Sequence, residues 1–311
     1  MKKKMILFLL LSIFLVSCNA ETSSQANEEK LQVVATTSIV ADVVRQVGGD
    51  LVEVKVLLPE GADPHSFDPS PQDIAMVADA DIIFANGAGL EAFIAHLLES
   101  AEAEERMVDV SEGITLLAHP KDDVHLKDDG DDHAEHAGDP HTWTDPNNVM
   151  IWVQNIESAL SEADPSNAEK YSEGAASYTS ELEEIDAWIR EEIAKIPVEK
   201  RKIVTDHRLL GYYAEEYGLE QVGAIVAGFS SVAEPSAQEL AEIEDAISAL
   251  GVQAIFVGNT VNANLAEQVA EDTGVQIVYF YTGSLSAPEG EAGSYLDYLR
   301  YNTNAFVNAL K

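Results

Sequence analysis

The sequence has few basic side chains, one cysteine, and no apolar run long enough to cross a membrane. Lysine and arginine number 18 against 55 aspartate and glutamate residues, which gives a formal net charge of −37. Nucleic-acid phosphates repel so acidic a surface, so we expect no nucleic-acid partner. The single cysteine, Cys18, excludes an intramolecular disulfide.

The first residues have the parts of a secretory signal. Lysines at the start precede the apolar run Met5–Val16. This run is shorter than the about 20 residues that a spanning helix needs. It leads into LVSC, ending at Cys18, which resembles a bacterial lipobox. We predict a lipoprotein signal peptide at residues 1–17, lipidation of Cys18, and a polar, flexible tether at residues 18–30. An ordinary secretory signal with a chance cysteine is the alternative.

After the tether, β-rich segments alternate with amphipathic helical segments. LQVVAT, VEVKVLL and DIIFAN are examples near the start, and VQAIFV and VQIVYF near the end. The alternation predicts an α/β protein with parallel sheets, flanking helices and right-handed crossovers. We also predict a helix over residues 90–100 and a short strand over residues 113–117.

One long helical segment divides the chain, and Pro197 ends it. Its apolar side chains recur at steps of seven, four and three residues, as one helical face requires. They are Tyr171, Tyr178, Leu182, Ile185, Ile189, Ile193 and Ile196. About thirty residues would span roughly 45 Å. We therefore predict an N-terminal α/β lobe (31–164), a rigid connecting helix (165–197) and a C-terminal α/β lobe (198–311).

Three histidines each lie between a β-rich segment or long loop and the start of a helix. His65 lies in GADPHSFDPSPQD, His141 in DPHTWTDP and His207 in IVTDHRLLGYY. Ligands of parallel sheets bind beyond the carboxyl ends of the strands, and imidazole is a common metal ligand. The shared setting predicts one metal site, although each histidine alone could be structural and no local spacing such as HExxH supports the site.

Four more histidines lie in a loop, residues 119–139, that is crowded with aspartate. They are His119, His125, His133 and His136. So polar a segment cannot bury a core, and short histidine-rich tracts bind metals. We interpret this loop as an auxiliary metal-binding segment, with a solvated acidic insertion as the alternative. We assign no function to His96.

Several motifs together resemble the extracytoplasmic solute-binding proteins of zinc- and manganese-type (cluster 9) ABC transporters. They are GADPHSFDPSP, DPHTWTDPNN, VTDHRLLGYYAEEYGL, AEPSAQEL and YLDYLRYN. The resemblance implies two lobes joined by one rigid helix, with a metal in the cleft between them. His65 and His141 of the first lobe and His207 of the second would bind it. The third position looks like glutamate in manganese members, so His207 favours zinc, as does the preference of manganese for oxygen ligands.

One position departs from the family pattern. Many members supply an aspartate ligand in a segment like TDSL, but here Gly283 stands in that place. Three histidines with an open position also hold catalytic zinc. A zinc-dependent hydrolase, with Asp206 as a possible base, is therefore an alternative, as is a surface interaction protein with a structural metal.

The sequence and the resemblance together imply a non-enzymatic binding lipoprotein. We expect a monomer, lipid-anchored on the outer face of the cytoplasmic membrane, that captures Zn²⁺ and delivers it to a cognate ABC permease. Mn²⁺ or Fe²⁺ is the alternative cargo. Imidazole binds metal only when neutral, so affinity is expected to fall below about pH 6.5, the ordinary histidine pKa.

Overall fold

The structure is a computed structural model that describes residues 30–91, 93–118, 138–226, 228–232 and 234–311. The predicted signal peptide, Cys18 and nearly all of the tether lie outside the described residues. So do the four loop histidines, His119, His125, His133 and His136. Within the described part of the chain, none of the helices is both long and apolar enough to cross a membrane.

The first half of the chain forms a parallel sheet of four strands in the order β2-β1-β3-β4. The strands are β1 (Leu31–Ala35), β2 (Val52–Val56), β3 (Ile82–Ala85) and β4 (Met107–Asp109). The flanking helices are α1 (Ser38–Gly48), α2 (Pro71–Ala78) and α3 (Ile94–Ala101). Side chains at the helix starts fix their bounds: Thr37 caps α1, and Ser70 forms a capping box with Asp73 at the start of α2.

The second half repeats this arrangement, with strand order β6-β5-β7-β8. The strands are β5 (Lys202–Thr205), β6 (Glu220–Ala224), β7 (Ala254–Gly258) and β8 (Gln276–Phe280). The helices are α6 (Gly211–Tyr217), α7 (Ala237–Leu250), α8 (Asn264–Thr273) and α9 (Tyr295–Leu310). In both lobes the sheet is parallel throughout, as the alternation of strands and helices predicts.

Helices α4 (Pro146–Ala163) and α5 (Ala168–Ile193) follow the first sheet in the chain and pack against each other. The 26 residues of α5 span about 39 Å. Its predicted apolar face is buried, and α5 also contacts α1 of the first lobe and α9 of the second. One continuous apolar core therefore runs from the first lobe through α5 into the second lobe. The predicted fold class, two parallel lobes and a long connecting helix, is confirmed.

Two local predictions were wrong. Residues 113–117 form no strand: the chain turns at residues 111–113, where Gly113 has a positive φ and the Ile114 N–H donates to the carbonyl of Ser111, and the Leu117 N–H donates to the Tyr212 hydroxyl. Helix α3 begins at Ile94 and not near residue 90. The loop before it has positive φ at Gly87, Ala88 and Gly89, and it continues through residues 90 and 91, where the Glu91 carboxylate turns back to accept from the N–H groups of Asn86 and Gly87.

Candidate metal centre

The structure brings His65, His141 and His207 together in the cleft between the lobes. The Nε2 atoms of His65 and His141 lie 3.2 Å apart, and those of His141 and His207 lie 3.3 Å apart. One candidate ligand atom from each of the three residues lies within 4.8 Å of the other two. His96, on α3, is not part of this cluster, and its side chain is 88% exposed.

The loop before α4 places His141 in the site. Asp145 caps α4 by accepting from the Asn147 backbone N–H, and Pro146 follows at the first helical position. On the other side, the amide of Asn86 donates to the carbonyl of Pro140 at 3.0 Å. His141 is 1% exposed, and its Nδ1 lies 2.7 Å from Asp139 Oδ1.

His207 follows β5 directly and is held by its neighbours. Its Nδ1 contacts Asp206 Oδ1, while Asp206 Oδ2 accepts from the Gly258 backbone N–H at 2.5 Å. Thr205 Oγ1 donates to the carbonyl of His207 at 2.6 Å. These bonds connect His207 to the ends of β5 and β7, two neighbouring strands of the second sheet.

His65 lies in the long loop after β2 and is less buried than the other two histidines. Its backbone N–H donates to Asp63 Oδ1 at 3.0 Å. Ser231, from the second lobe, donates to Asp63 Oδ2. The loop that carries His65 is thus fixed both internally and across the cleft.

The electrostatics of the cluster favour neutral imidazoles. Burial, together with the nearby His141 and His207, lowers the pKa of His65 to about 3, although Asp63 opposes the shift. Burial, with a smaller contribution from His207, also holds the pKa of His141 well below its ordinary value. His65 and His141 are therefore neutral in the unliganded protein well below pH 6.5, so protonation of these two rings does not compete with metal binding near that pH.

The carboxylates decide which ring nitrogen faces the centre of the cluster. A neutral imidazole carries one N–H, and the bonds of His141 and His207 to Asp139 and Asp206 place it on Nδ1. Their Nε2 lone pairs then face each other, an arrangement that a bound cation relieves. Three imidazole nitrogens at this spacing fit a transition-metal ion.

The pocket that the three histidines line is also lined by Gly283, Thr260 and Thr282. A Cβ atom at Gly283 would lie 2.9 Å from Pro64 Cδ, so the ring of Pro64 closes against the glycine. Trp143 Nε1 donates to the carbonyl of Thr282 at 3.1 Å and holds this segment in place. Residue 283 therefore offers the site no side chain.

Sequence reasoning missed the carboxylates that orient the ring nitrogens and loops. Asp63 and Asp139 each stand two residues before a histidine in the same Asp-Pro-His triplet, and Asp206 directly precedes His207. The repeated triplet was the available signal. Asp206 is engaged by His207 Nδ1 and the Gly258 N–H, as an orienting residue is.

Comparisons with known proteins agree with this fold. Residues 33–309 match the model of the family described as zinc-uptake complex component A, periplasmic. The manganese-binding lipoprotein MntA of Halalkalibacterium halodurans is 32% identical, with 100% of this chain and 99% of that protein covered. The manganese ABC transporter substrate-binding lipoprotein PsaA of Streptococcus mitis is 31% identical, with 100% and 99% covered.

Solved structures give the same result. The periplasmic zinc-binding protein TroA from Treponema pallidum has a TM-score of 0.80 at 25% identity, covering 91% of this chain and 99% of that one. A manganese-bound periplasmic metal-binding protein from Candidatus Liberibacter asiaticus has a TM-score of 0.76 at 28% identity, covering 91% and 100%. The chain therefore belongs to the zinc-uptake component A family, and it is a metal-binding, substrate-binding component of an ABC transporter and not an enzyme.

Proposed function

We propose that this protein captures a divalent transition metal outside the cytoplasmic membrane through His65, His141 and His207, and delivers it to its ABC permease for import. The observation that carries the proposal is the convergence of three histidine nitrogens, from two lobes, within 4.8 Å. The low pKa values of His65 and His141 keep these two ligands neutral and ready to bind at neutral pH.

Zinc is the metal that the donor set supports. Three imidazoles leave a fourth position open, which a water molecule can fill in a tetrahedral zinc site. The carboxylate of Asp63 lines the pocket, but it accepts hydrogen bonds from the His65 backbone and from Ser231. Gly283 provides no oxygen ligand, and manganese prefers oxygen.

Manganese is the second candidate, because relatives at 31–32% identity are named for it. The solved structure of one relative also contains manganese, and another structure of the same protein contains cadmium. A fold that holds several divalent metals leaves selectivity to the ligands themselves. Here the third ligand is His207, where the family resemblance places glutamate in manganese members.

The deciding experiment is a competitive titration of residues 21–311 with Zn²⁺ and Mn²⁺. The His207→Ala variant should lose binding, whereas His96→Ala, an exposed histidine outside the site, should not. One tightly held zinc that manganese does not displace supports zinc import. Displacement by manganese supports the second candidate. Binding that survives the loss of His207 would contradict the proposed site.

We further propose that lipidated Cys18 anchors a monomeric protein on the outer face of the cytoplasmic membrane, with the lobes at residues 31–164 and 198–311. Relatives named lipoproteins support the anchor. A Cys18→Ser variant should be released from the membrane fraction. If it stays membrane-bound, lipidation is not the anchor.

The loop histidines His119, His125, His133 and His136 are proposed to collect metal for the cleft. The described residues on either side of them, Leu117 and Asp139, are hydrogen-bonded at 2.7 Å and lie beside the site. Deleting residues 119–137 should then slow loading at low zinc and leave the equilibrium affinity unchanged. Unchanged loading would contradict this role.

A further inference from the structure

We propose that Tyr212 is a positioning residue for the metal site: from the second lobe it holds the loop of Asp139, and through Asp139 it fixes the imidazole of His141. The inference rests on the proposed metal site and adds to it a residue outside the three histidines. It makes the orientation of a first-lobe ligand depend on the second lobe.

The hydroxyl of Tyr212 bridges two backbone segments beside the metal site, one at Leu117 and one at Asp139. Tyr212 lies on α6 and is 6% exposed. Its hydroxyl donates to the carbonyl of Asp139 at 2.6 Å and accepts from the backbone N–H of Leu117 at 3.2 Å. Asp139 N–H in turn donates to the carbonyl of Leu117 at 2.7 Å. The hydroxyl thus uses both a donor and an acceptor function to close the network.

The residue before Tyr212 fixes the carboxylate of Asp139. A Cβ atom at Gly211 would lie 2.6 Å from Asp139 Oδ2, so the carboxylate packs directly against the glycine. The other oxygen, Oδ1, lies 2.7 Å from His141 Nδ1 and accepts the His141 backbone N–H at 3.0 Å. Helix α6 and His141 therefore hold the carboxylate from opposite lobes.

This arrangement has a direct effect on the ligand. A carboxylate that accepts the Nδ1 proton fixes the tautomer and the ring direction of a metal-binding histidine and makes its other nitrogen more basic. The carboxylate that bonds to His207 belongs to Asp206, its neighbour in the same lobe. The carboxylate that bonds to His141 belongs to Asp139, and Gly211 and Tyr212 fix its position from across the cleft. Any movement of α6 away from the first lobe would loosen Asp139 and weaken the hold of His141 on the metal.

The test compares Tyr212→Phe with Tyr213→Phe in titrations with Zn²⁺ and Co²⁺. Tyr213 is a matched control because it is the adjacent residue of α6, and its buried hydroxyl bonds with Thr303 at 2.8 Å, outside the metal pocket. We expect Tyr212→Phe to bind zinc about 10-fold more weakly, within the range found for groups that orient ligands. Zinc should also dissociate faster, and the Co²⁺ absorption bands should shift. Tyr213→Phe should lower thermal stability without these changes.

A second variant displaces Asp139 and keeps the Tyr212 hydroxyl. Gly211→Ala places a methyl group against Asp139 Oδ2, and this overpacking should lower the Tm, as the lost hydrogen bond does in Tyr213→Phe. We expect Gly211→Ala to bind zinc more weakly and to shift the Co²⁺ absorption bands, whereas Tyr213→Phe should lower the Tm alone. Wild-type zinc affinity and Co²⁺ spectra in Tyr212→Phe, or an equal loss in Tyr213→Phe, would overturn the inference alone. Failure of the unmodified protein to bind metal would overturn the proposed function together with it.

Discussion

The Nε2 atoms of His141 and His207 lie 3.3 Å apart although the two residues belong to different lobes. Each ring directs its Nδ1 to a carboxylate of its own lobe, Asp139 or Asp206. The two lone pairs therefore face each other across the cleft. A bound cation would satisfy both, so metal binding and the contact between the lobes reinforce each other.

Replacing His207 with glutamate should move selectivity from zinc toward manganese. The variant exchanges an imidazole nitrogen for carboxylate oxygen, which manganese prefers. Competition between Zn²⁺ and Mn²⁺ in the His207→Glu variant measures the change, and His96→Glu controls for added negative charge at an exposed position. A preference for zinc equal to that of the unmodified protein would show that residue 207 does not set selectivity.

Replacing Gly283 with aspartate should cost stability because the new Cβ meets Pro64 at 2.9 Å. Overpacking of this kind costs about 1–3 kcal/mol. Gly283→Ala imposes the same contact without the carboxylate, so it gives the steric cost alone. If the carboxylate reaches the metal, Gly283→Asp should bind manganese more tightly than Gly283→Ala. Equal affinities would show that a side chain at residue 283 does not reach the site.

Acidification should destabilise the metal-free protein through His65 and His141. Their folded-state pKa values lie below the unfolded value of 6.5, about 3 for His65. The unfolded state therefore binds more protons as the pH falls from about 6.5 towards 3, and stability falls by up to about 1.4 kcal/mol per pH unit for each group. Denaturant unfolding across this range measures the slope. His65→Asn should have a smaller slope, and an unchanged slope would contradict the assignment.

Glu91 should make the stability of the protein depend on pH with the opposite sign to His65 and His141. Burial raises its pKa from 4.5 to about 7, although Thr36 Oγ1 and the N–H groups of Asn86 and Gly87 donate to its carboxylate and oppose the rise. Between these values the folded state binds more protons, so the stability conferred by protonated Glu91 is lost as the pH rises through this window. We expect the stability of the unmodified protein, relative to Glu91→Gln, to fall from about pH 4.5 to 7 and then level off. A constant difference would contradict the raised pKa.

The sequence determined the architecture because the patterns that specify each strand and helix lie within short stretches of the chain. Alternating β-rich and amphipathic segments specify parallel sheets, and one apolar face from Tyr171 to Ile193 specifies the long helix. Strand-to-helix junctions also marked His65, His141 and His207, since parallel strands end at one edge of a sheet.

Only the tertiary structure decided how that site is held. Tyr212 reaches Asp139 over 73 residues of sequence, and the contact of Pro64 with Gly283 likewise depends on how the lobes pack. The tertiary structure also decided where α3 begins, because the N–H groups of Asn86 and Gly87 donate to the buried carboxylate of Glu91 and hold the residues before Ile94 in a loop. Neither periodicity nor spacing encodes such contacts, because they depend on the distance between side chains brought together only after both lobes have folded.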